Sequence, residues 1–323
     1  MGTVWQFGAA EFLWPRRAPW STSNRGLIER MPVQIALVDA FSQGAFGGNR
    51  AGVCLLESRE WPDDGWMRSV AGELHAETAF VCPPRDAGGG RWGLRWFTAT
   101  SESTVCGHAT LATAHVLHSE QPGARAFRFD TSYGQLDAFA RDDGSITLDF
   151  PASPTVNVPP PGDLAEALRV ERLATFRTGG LGDLLVVLGD ENVVRRLQPR
   201  SRHLAALCRR DGIRGIIVTA EREGAGGGYD FVSRYFAPAN GLEEDQVTGS
   251  AHTALAPYWS RRLARERLTG VQVSARAGIV WTQVRGSRVY LKGYAVTTVR
   301  GDLLIAAHGW RQADNGRVGG EPC

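Results

Sequence analysis

The chain predicts an α+β fold built as two similar lobes, and two observations predict it. A short unit occurs twice. Arg95-Trp96-Phe97 is followed by Val105-Cys106-Gly107-His108-Ala109-Thr110-Leu111-Ala112, and about 140 residues later Arg234-Tyr235-Phe236 is followed by Val247-Thr248-Gly249-Ser250-Ala251-His252-Thr253-Ala254-Leu255-Ala256. Each copy runs from an aromatic strand, through an acidic loop (Glu102; Glu243, Glu244, Asp245), to a glycine that opens an Ala/Leu/Thr helix. One repeat at this separation means two lobes, because solenoid units recur every 20–50 residues. The second observation is a succession of short strand-like runs around two central helices, without βαβ alternation.

In chain order, Val33 to Val38 reads as a strand, and Ala51 to Leu56 as its hairpin partner beyond a Gly44–Gly48 loop. Trp61 to Gly72 has helical spacing and an early proline, which a first helical turn accepts. Thr78 to Cys82 and Leu94 to Phe97 are strands around a Gly88–Gly90 turn; Gly107 to His118 is a helix. Phe127 to Asp130, Gln135 to Ala140 and Ser145 to Phe150 are strands separated by glycine turns. Five prolines between Pro151 and Pro161 predict an inter-lobe linker. Beyond it come strand Leu184 to Leu188, helix Val193 to Arg209, strand Ile216 to Thr219 and a Gly224–Gly228 turn. Strand Asp230 to Phe236, helix Gly249 to Leu263 and strands Val271 to Ser274, Ile279 to Val284 and Val289 to Leu291 complete the second lobe. The expected domains are 31–152 plus 292–310 for the first lobe and 153–291 for the second, with a tail at 311–323. Residues 1–30 carry three tryptophans without periodicity, and Met31 directly precedes the first strand, so 1–30 reads as a disordered or mis-annotated extension.

Composition narrows the function. The chain has 323 residues, enough for two domains with buried cores, and its 43% hydrophobic and 22% charged shares are those of a soluble globular protein. The net charge of +2 comes from the first thirty residues, so the near-neutral body argues against nucleic acid or an acidic membrane as partner. Lys292 is the sole lysine, which disfavours Schiff-base chemistry. Five cysteines without C-x-x-C spacing fit reduced thiols in a cytoplasmic protein. No apolar run reaches the length of a membrane span. Gly180-Leu181-Gly182 is followed by Leu185 where a dinucleotide fingerprint needs glycine, and neither a P-loop nor a G-x-S-x-G elbow is present.

Candidate residues gather at the two helix starts. The free N–H groups at Gly107 and Gly249 suit an anion. His108, on the first turn, either meets that anion or packs. Cys106 is either a proton-transfer thiol at a helix mouth, where a thiolate is favoured, or a small buried filler. Thr248 fills its slot in the second copy, which argues against a symmetric two-thiol racemase. Glu77 stands at the entry to an apolar strand, as a carboxyl for proton shuttling or as a strand-end carboxylate. Asp245 precedes the second helix by four residues, as a substrate contact or as part of an acidic loop. His115 and His118 sit at i, i+3, but no nearby carboxylate completes a metal site, and none is expected.

These motifs resemble the phenazine-biosynthesis PhzF-like isomerases, which share the diaminopimelate-epimerase fold, from about Val33 to Leu303. The resemblance rests on Val38-Asp39-Ala40-Phe41 with Phe46 and Gly48-Asn49, on His75-Ala76-Glu77-Thr78-Ala79-Phe80-Val81, and on Arg95-Trp96-Phe97-Thr98 with Glu102. Cys106-Gly107-His108-Ala109-Thr110-Leu111-Ala112 and Glu244-Asp245 with Val247-Thr248-Gly249-Ser250-Ala251-His252 complete it. It implies two lobes, each a curled antiparallel sheet or barrel around a central helix, with the C-terminal strand Tyr294 to Val299 returning to the first lobe. It also implies Glu77 as proton carrier, His108, Asp245 and Ser250 as substrate contacts, no organic cofactor or metal, and a homodimer. Arg50, Ala99 and Gln246 stand where the family usually has proline, which implies softer cleft loops and a changed substrate.

Three functions remain open on the sequence. The first is a cofactor-independent isomerase that shifts a double bond in a small carboxylate-bearing substrate, in specialised metabolism. The second is a non-catalytic small-ligand-binding protein of the same fold. The third is an epimerase or racemase that pairs Cys106 with Glu77 as opposed bases.

Overall fold

The structure, a computed structural model, describes residues 33–84, 90–224 and 226–305. The expectations for residues 1–30, for 306–310 and the tail, and for the start of the Gly88–Gly90 turn fall outside the described residues.

The first lobe opens with an antiparallel hairpin, β1 (Val33–Ala40) and β2 (Asn49–Leu55). Helix α1 (Asp64–Glu73) follows, capped by Asp63, whose carboxylate accepts the Gly65 N–H at 2.7 Å. β3 (Glu77–Cys82) lies parallel to β2, β4 (Trp92–Phe97) runs antiparallel to β3, and the short β5 (Glu102–Ser103) folds back on β4. After α2 (Gly107–Glu120), β6 (Ala126–Thr131) lies parallel to β4, and β7 (Gly134–Ala140) and β8 (Ile146–Pro151) continue antiparallel.

The second lobe starts with β9 (Thr155–Val158) and α3 (Leu164–Leu168), then repeats those pairings one for one. β10 (Ala174–Thr178) and β11 (Leu184–Val187) form the hairpin, and α4 (Glu191–Arg196) and α5 (Ser201–Asp211) follow. β12 (Ile216–Glu221) is parallel to β11, and β13 (Phe231–Ala237) is antiparallel to β12. β14 (Leu242–Asp245) folds back on β13 ahead of α6 (Gly249–Leu263). β15 (Arg267–Gln272) is parallel to β13, and β16 (Gly278–Arg285) and β17 (Arg288–Gly293) close the lobe.

Strand exchange joins the lobes. β8 and β17 pair antiparallel, with Leu148 opposite Leu291, so one sheet runs through both. β18 (Ala295–Leu303) returns to pair with β1, and β9 takes the matching place beside β10. The core explains why α2 and α6 run inside the sheets. Every α2 residue from Gly107 to Ala114 is buried, as is every α6 residue from Gly249 to Ala256, and a helix that is buried all round belongs in a core. Their Ala, Gly and Thr side chains let the strands approach closely.

The fold class matches the sequence expectation, with two parallel pairs per lobe in an otherwise antiparallel array. Three local readings change. The proline-rich linker contains β9, an edge strand, where prolines at either end are tolerated. The single helix expected over Val193 to Arg209 is α4 and α5, interrupted at Pro199, which cannot continue an i→i−4 ladder. The short α3 and β10 are additional elements.

Candidate active site

The repeat brings the starts of α2 and α6 into contact. A Cβ at Gly107 would lie 3.0 Å from the Gly249 Cα, and one at Gly249 would lie 3.1 Å from the Gly107 Cα. A Cβ at either helix start would require the opposing backbone to give by a few tenths of an ångström. The N-caps, Cys106 and Thr248, both have extended backbones. Register extends the equivalence: Trp96 pairs with Ser103 as Tyr235 pairs with Asp245, so Ser103 and Asp245 correspond. Thr78 faces Phe97 as Ile216 faces Phe236, which makes Gly215 the counterpart of Glu77. The repeated Arg has a repeated task. Arg95 grips Glu102 through two hydrogen bonds of 2.8 and 2.7 Å, and Arg234 grips Glu244 through two of 2.7 Å. These bidentate pairs hold the acidic segments that lead into the helix mouths.

The α2 mouth carries proton-handling groups. Glu77 is the first residue of β3, directly after a turn in which His75 takes a left-handed φ of 47°. Its Oε1 accepts the Ser103 hydroxyl, and its Oε2 accepts the Cys106 thiol at 3.0 Å. His108 Nε2 lies 3.7 Å from the same Oε2, and its Nδ1 lies 3.5 Å from the Cys106 sulfur. Burial, then the neighbouring Glu77 carboxylate, pushes the Cys106 thiol well above its usual range, which outweighs the Ala109 N–H at the helix start. The thiolate expected from a helix mouth is therefore replaced by a protonated donor. Glu77, Cys106 and His108 each offer an atom within 4.8 Å of the others, and the thiol donates its proton to the Glu77 carboxylate rather than standing as a thiolate ligand. His115 and His118 do not join them: His115 Nε2 meets the Thr297 hydroxyl at 3.1 Å and His118 Nδ1 the Ala124 carbonyl at 2.9 Å.

The α6 mouth is built for orientation and charge. Asp245 accepts from Asn49 Nδ2 at 2.7 Å, the Thr248 hydroxyl at 2.6 Å and the Gln246 N–H at 3.0 Å. Asn49 also donates to the Val247 carbonyl at 2.9 Å, so a first-lobe side chain pins the loop ahead of α6. The buried Ser250 hydroxyl lies 3.2 Å from Arg214 Nη2. Of Arg50, Ala99 and Gln246, the first two are exposed, whereas Gln246 is tied in. Its carbonyl accepts from Ser274 at 2.6 Å and its side-chain oxygen from the Arg276 N–H at 3.2 Å.

All the sequence-derived candidates thus lie at the two touching helix starts: Glu77, Cys106, Gly107 and His108 on one, Asp245, Gly249 and Ser250 on the other. The sequence did not mark Ser103, which aligning the two acidic loops reveals as the counterpart of Asp245. It assigned no role to Asn49, although that residue stood in a quoted motif. Arg214 carries no motif at all.

Comparison with known proteins gives the family and the fold. The model of the phenazine biosynthesis-like protein family matches residues 38–301. An uncharacterised isomerase of Pseudomonas aeruginosa is 42% identical over 277 residues, covering 85% of this chain and all of that protein. A phenazine biosynthesis PhzF-family crystal structure from Enterococcus faecalis is similar at a TM-score of 0.76 and 35% identity, covering 85% of this chain and 100% of that one. A hydroxyproline epimerase from Agrobacterium vitis shares the fold at a TM-score of 0.57 and 12% identity, with 84% of this chain and 94% of that one covered.

Proposed function

The chain belongs to the phenazine biosynthesis-like, PhzF-type family of isomerase and epimerase-type proteins, and from that premise we propose that it is a cofactor-independent isomerase that moves a proton within a small carboxylate-bearing metabolite. The observation that carries this reading is the Glu77 carboxylate held against the Cys106 thiol and His108 at the opening of α2.

The substrate lies against the two touching helix starts, its carboxylate facing the N–H groups there, where the dipoles favour negative charge. Glu77 removes a proton from a carbon acidified by the adjoining unsaturation and delivers it to another carbon of the same system, so that a double bond moves and no electrons leave the molecule. A carboxylate within hydrogen-bond reach of a reacting carbon suits this two-way transfer. The Ser103 and Cys106 donors hold Glu77 in place before the reaction and stabilise its anion whenever the proton is on substrate. His108, Asp245 and Ser250 orient the substrate and counter the charge that develops as the C–H bond breaks. The reading carries with it specialised metabolism, a cytoplasmic homodimer and neither nucleic acid nor membrane as partner. Among the described residues no helix is long and apolar enough to cross a membrane.

A panel of unsaturated small carboxylates, incubated with wild type and Glu77→Gln and followed by mass-neutral changes in retention, tests the proposal. Conversion by wild type alone is expected. Conversion by both removes Glu77 from the mechanism.

A further inference from the structure

Away from the two helix mouths, the strand exchange that joins the lobes leaves one face of a five-stranded sheet open. β15, β16 and β17 of the second lobe meet β8 and β7 of the first. Register lays Thr269, Trp281, Lys292, Thr147 and Phe139 in one row across them. The row beside it holds Arg267, Gln283 and Tyr290. Alternation sends Val280, Leu291 and Leu148 into the core, so these rows face outward. They line a cavity of about 890 Å³, within the size range of small-molecule sites.

The charge around this cavity is lopsided. Its lining includes Arg141, Arg265, Arg267, Arg285 and Lys292 against only Asp142 and Asp143, in a chain body that is otherwise near neutral. Arg265 is paired with Asp230, and Lys292 with Asp143. The Arg267 guanidinium has no partner among the described residues. Arg285 has no carboxylate partner among them either: it lies over the Tyr290 ring, 5.8 Å from the centroid, and directly opposite a second arginine, Arg288. Like charges opposite each other on a sheet repel, and a bound anion relieves the repulsion. Arg267 and Arg285 flank Gln283, so two guanidinium forks and an amide stand together on adjacent strands, a donor set suited to phosphate oxygens. Asp142 and Asp143 stand at the far end, on the β7–β8 turn, and direct an anion toward the arginines.

A ring platform lies beside these donors. Trp281 is half-buried, with Tyr294 packed edge-on at 5.5 Å and Lys292 Nζ 5.4 Å from its centroid. It is two residues from Gln283 along β16, about 7 Å, a separation comparable to that between phosphate and base in a nucleotide. Bases of any identity stack on such a ring, because each has a π face. We propose that this cavity binds a nucleoside phosphate, its phosphates on Arg267, Gln283 and Arg285 and its base against Trp281. The β8–β17 pairing forms the floor, so the occupant touches both lobes. The proposal does not depend on the isomerase reading, since the cavity shares no residue with the helix mouths.

Calorimetric titration with ADP, with inorganic pyrophosphate and with adenosine, in metal-free buffer, tests the assignment. Wild type is expected to bind ADP about tenfold or more tightly than either fragment. The double variant Arg267→Gln/Arg285→Gln is expected to bind ADP about tenfold or more weakly, since charge-assisted hydrogen bonds are lost. Trp281→Leu is expected to weaken ADP and leave pyrophosphate unchanged. Arg172→Gln, at an exposed arginine outside the cavity, and Glu77→Gln are expected to bind ADP as wild type does. ADP bound no more tightly than pyrophosphate, or equally well by the double arginine variant, overturns the proposal. So does a wild type that ignores ADP while the double variant sediments differently, since the face then joins two copies of the chain.

Discussion

The Cys106 thiol donates to Glu77 Oε2 across 3.0 Å, and both groups stand on the same helix mouth. Two-base epimerisation needs bases on opposite faces of one carbon, and a pair hydrogen-bonded to each other does not supply that. The thiol is a donor that holds the carboxylate. Peptide-resolved alkylation at neutral pH should therefore leave Cys106 essentially unmodified in wild type. Glu77→Gln removes a charge that raises the thiol, so its Cys106 should react several-fold faster. Equal rates would contradict the coupling.

The contact between Gly107 and Gly249 makes each substitution there a test of how closely the lobes must sit. Gly107→Ala should lower stability by about 1–3 kcal/mol through overpacking, and should reduce turnover further by parting the helix mouths. Urea midpoints and rates for Gly107→Ala and for the exposed Gly123→Ala provide the comparison; indistinguishable behaviour would refute the tight approach.

Asn49 is the first-lobe residue that holds Asp245. Asn49→Ala removes its bonds to Asp245 and to the Val247 carbonyl and should cost about 1–3 kcal/mol, since a buried acceptor loses its donor. The neighbouring exposed Arg50→Ala should stay within about 0.5 kcal/mol of wild type. Denaturant titrations distinguish the two, and an Asn49→Ala as stable as Arg50→Ala would discount the tie.

His252 gives the fold a pH dependence. It is fully buried against Phe231, and its Nδ1 donates to the Thr248 carbonyl at 2.9 Å. Burial pushes its pKa down from 6.5 to about 4, so the unfolded chain takes up a proton that the folded chain refuses. This contribution is complete above the unfolded value and is lost as pH falls toward the folded one. Between about pH 7.5 and pH 5 it should lower stability by about 2 kcal/mol. His252→Gln should show a shallower decline over that window, measured by denaturant midpoints; an unchanged slope would assign the acid sensitivity elsewhere.

Much of this was legible in the sequence for one physical reason: the duplicated unit marks structurally equivalent positions. Glycine at the start of each internal helix and Arg–Glu pairs around each acidic loop are needs imposed by the fold, so they recur. The elements missed were those without periodicity. β10 is five residues long and includes Arg177, and β9 is four residues among prolines. At the site, Glu77, Cys106 and His108 were visible because each sits beside a recognisable boundary. Ser103 and Arg214 were not, because their roles come from strand register and from a buried partner, Asp183, distant in sequence.

The central claim is that Glu77 carries the proton, and isotope exchange tests it most directly. Unsaturated carboxylates turned over by wild type in deuterium oxide should acquire carbon-bound deuterium wherever the carried proton exchanges with solvent. In Glu77→Gln that incorporation should fall by about 10²–10⁴-fold, the usual worth of a positioned general base. Deuterium uptake at the wild-type rate in Glu77→Gln would contradict the account.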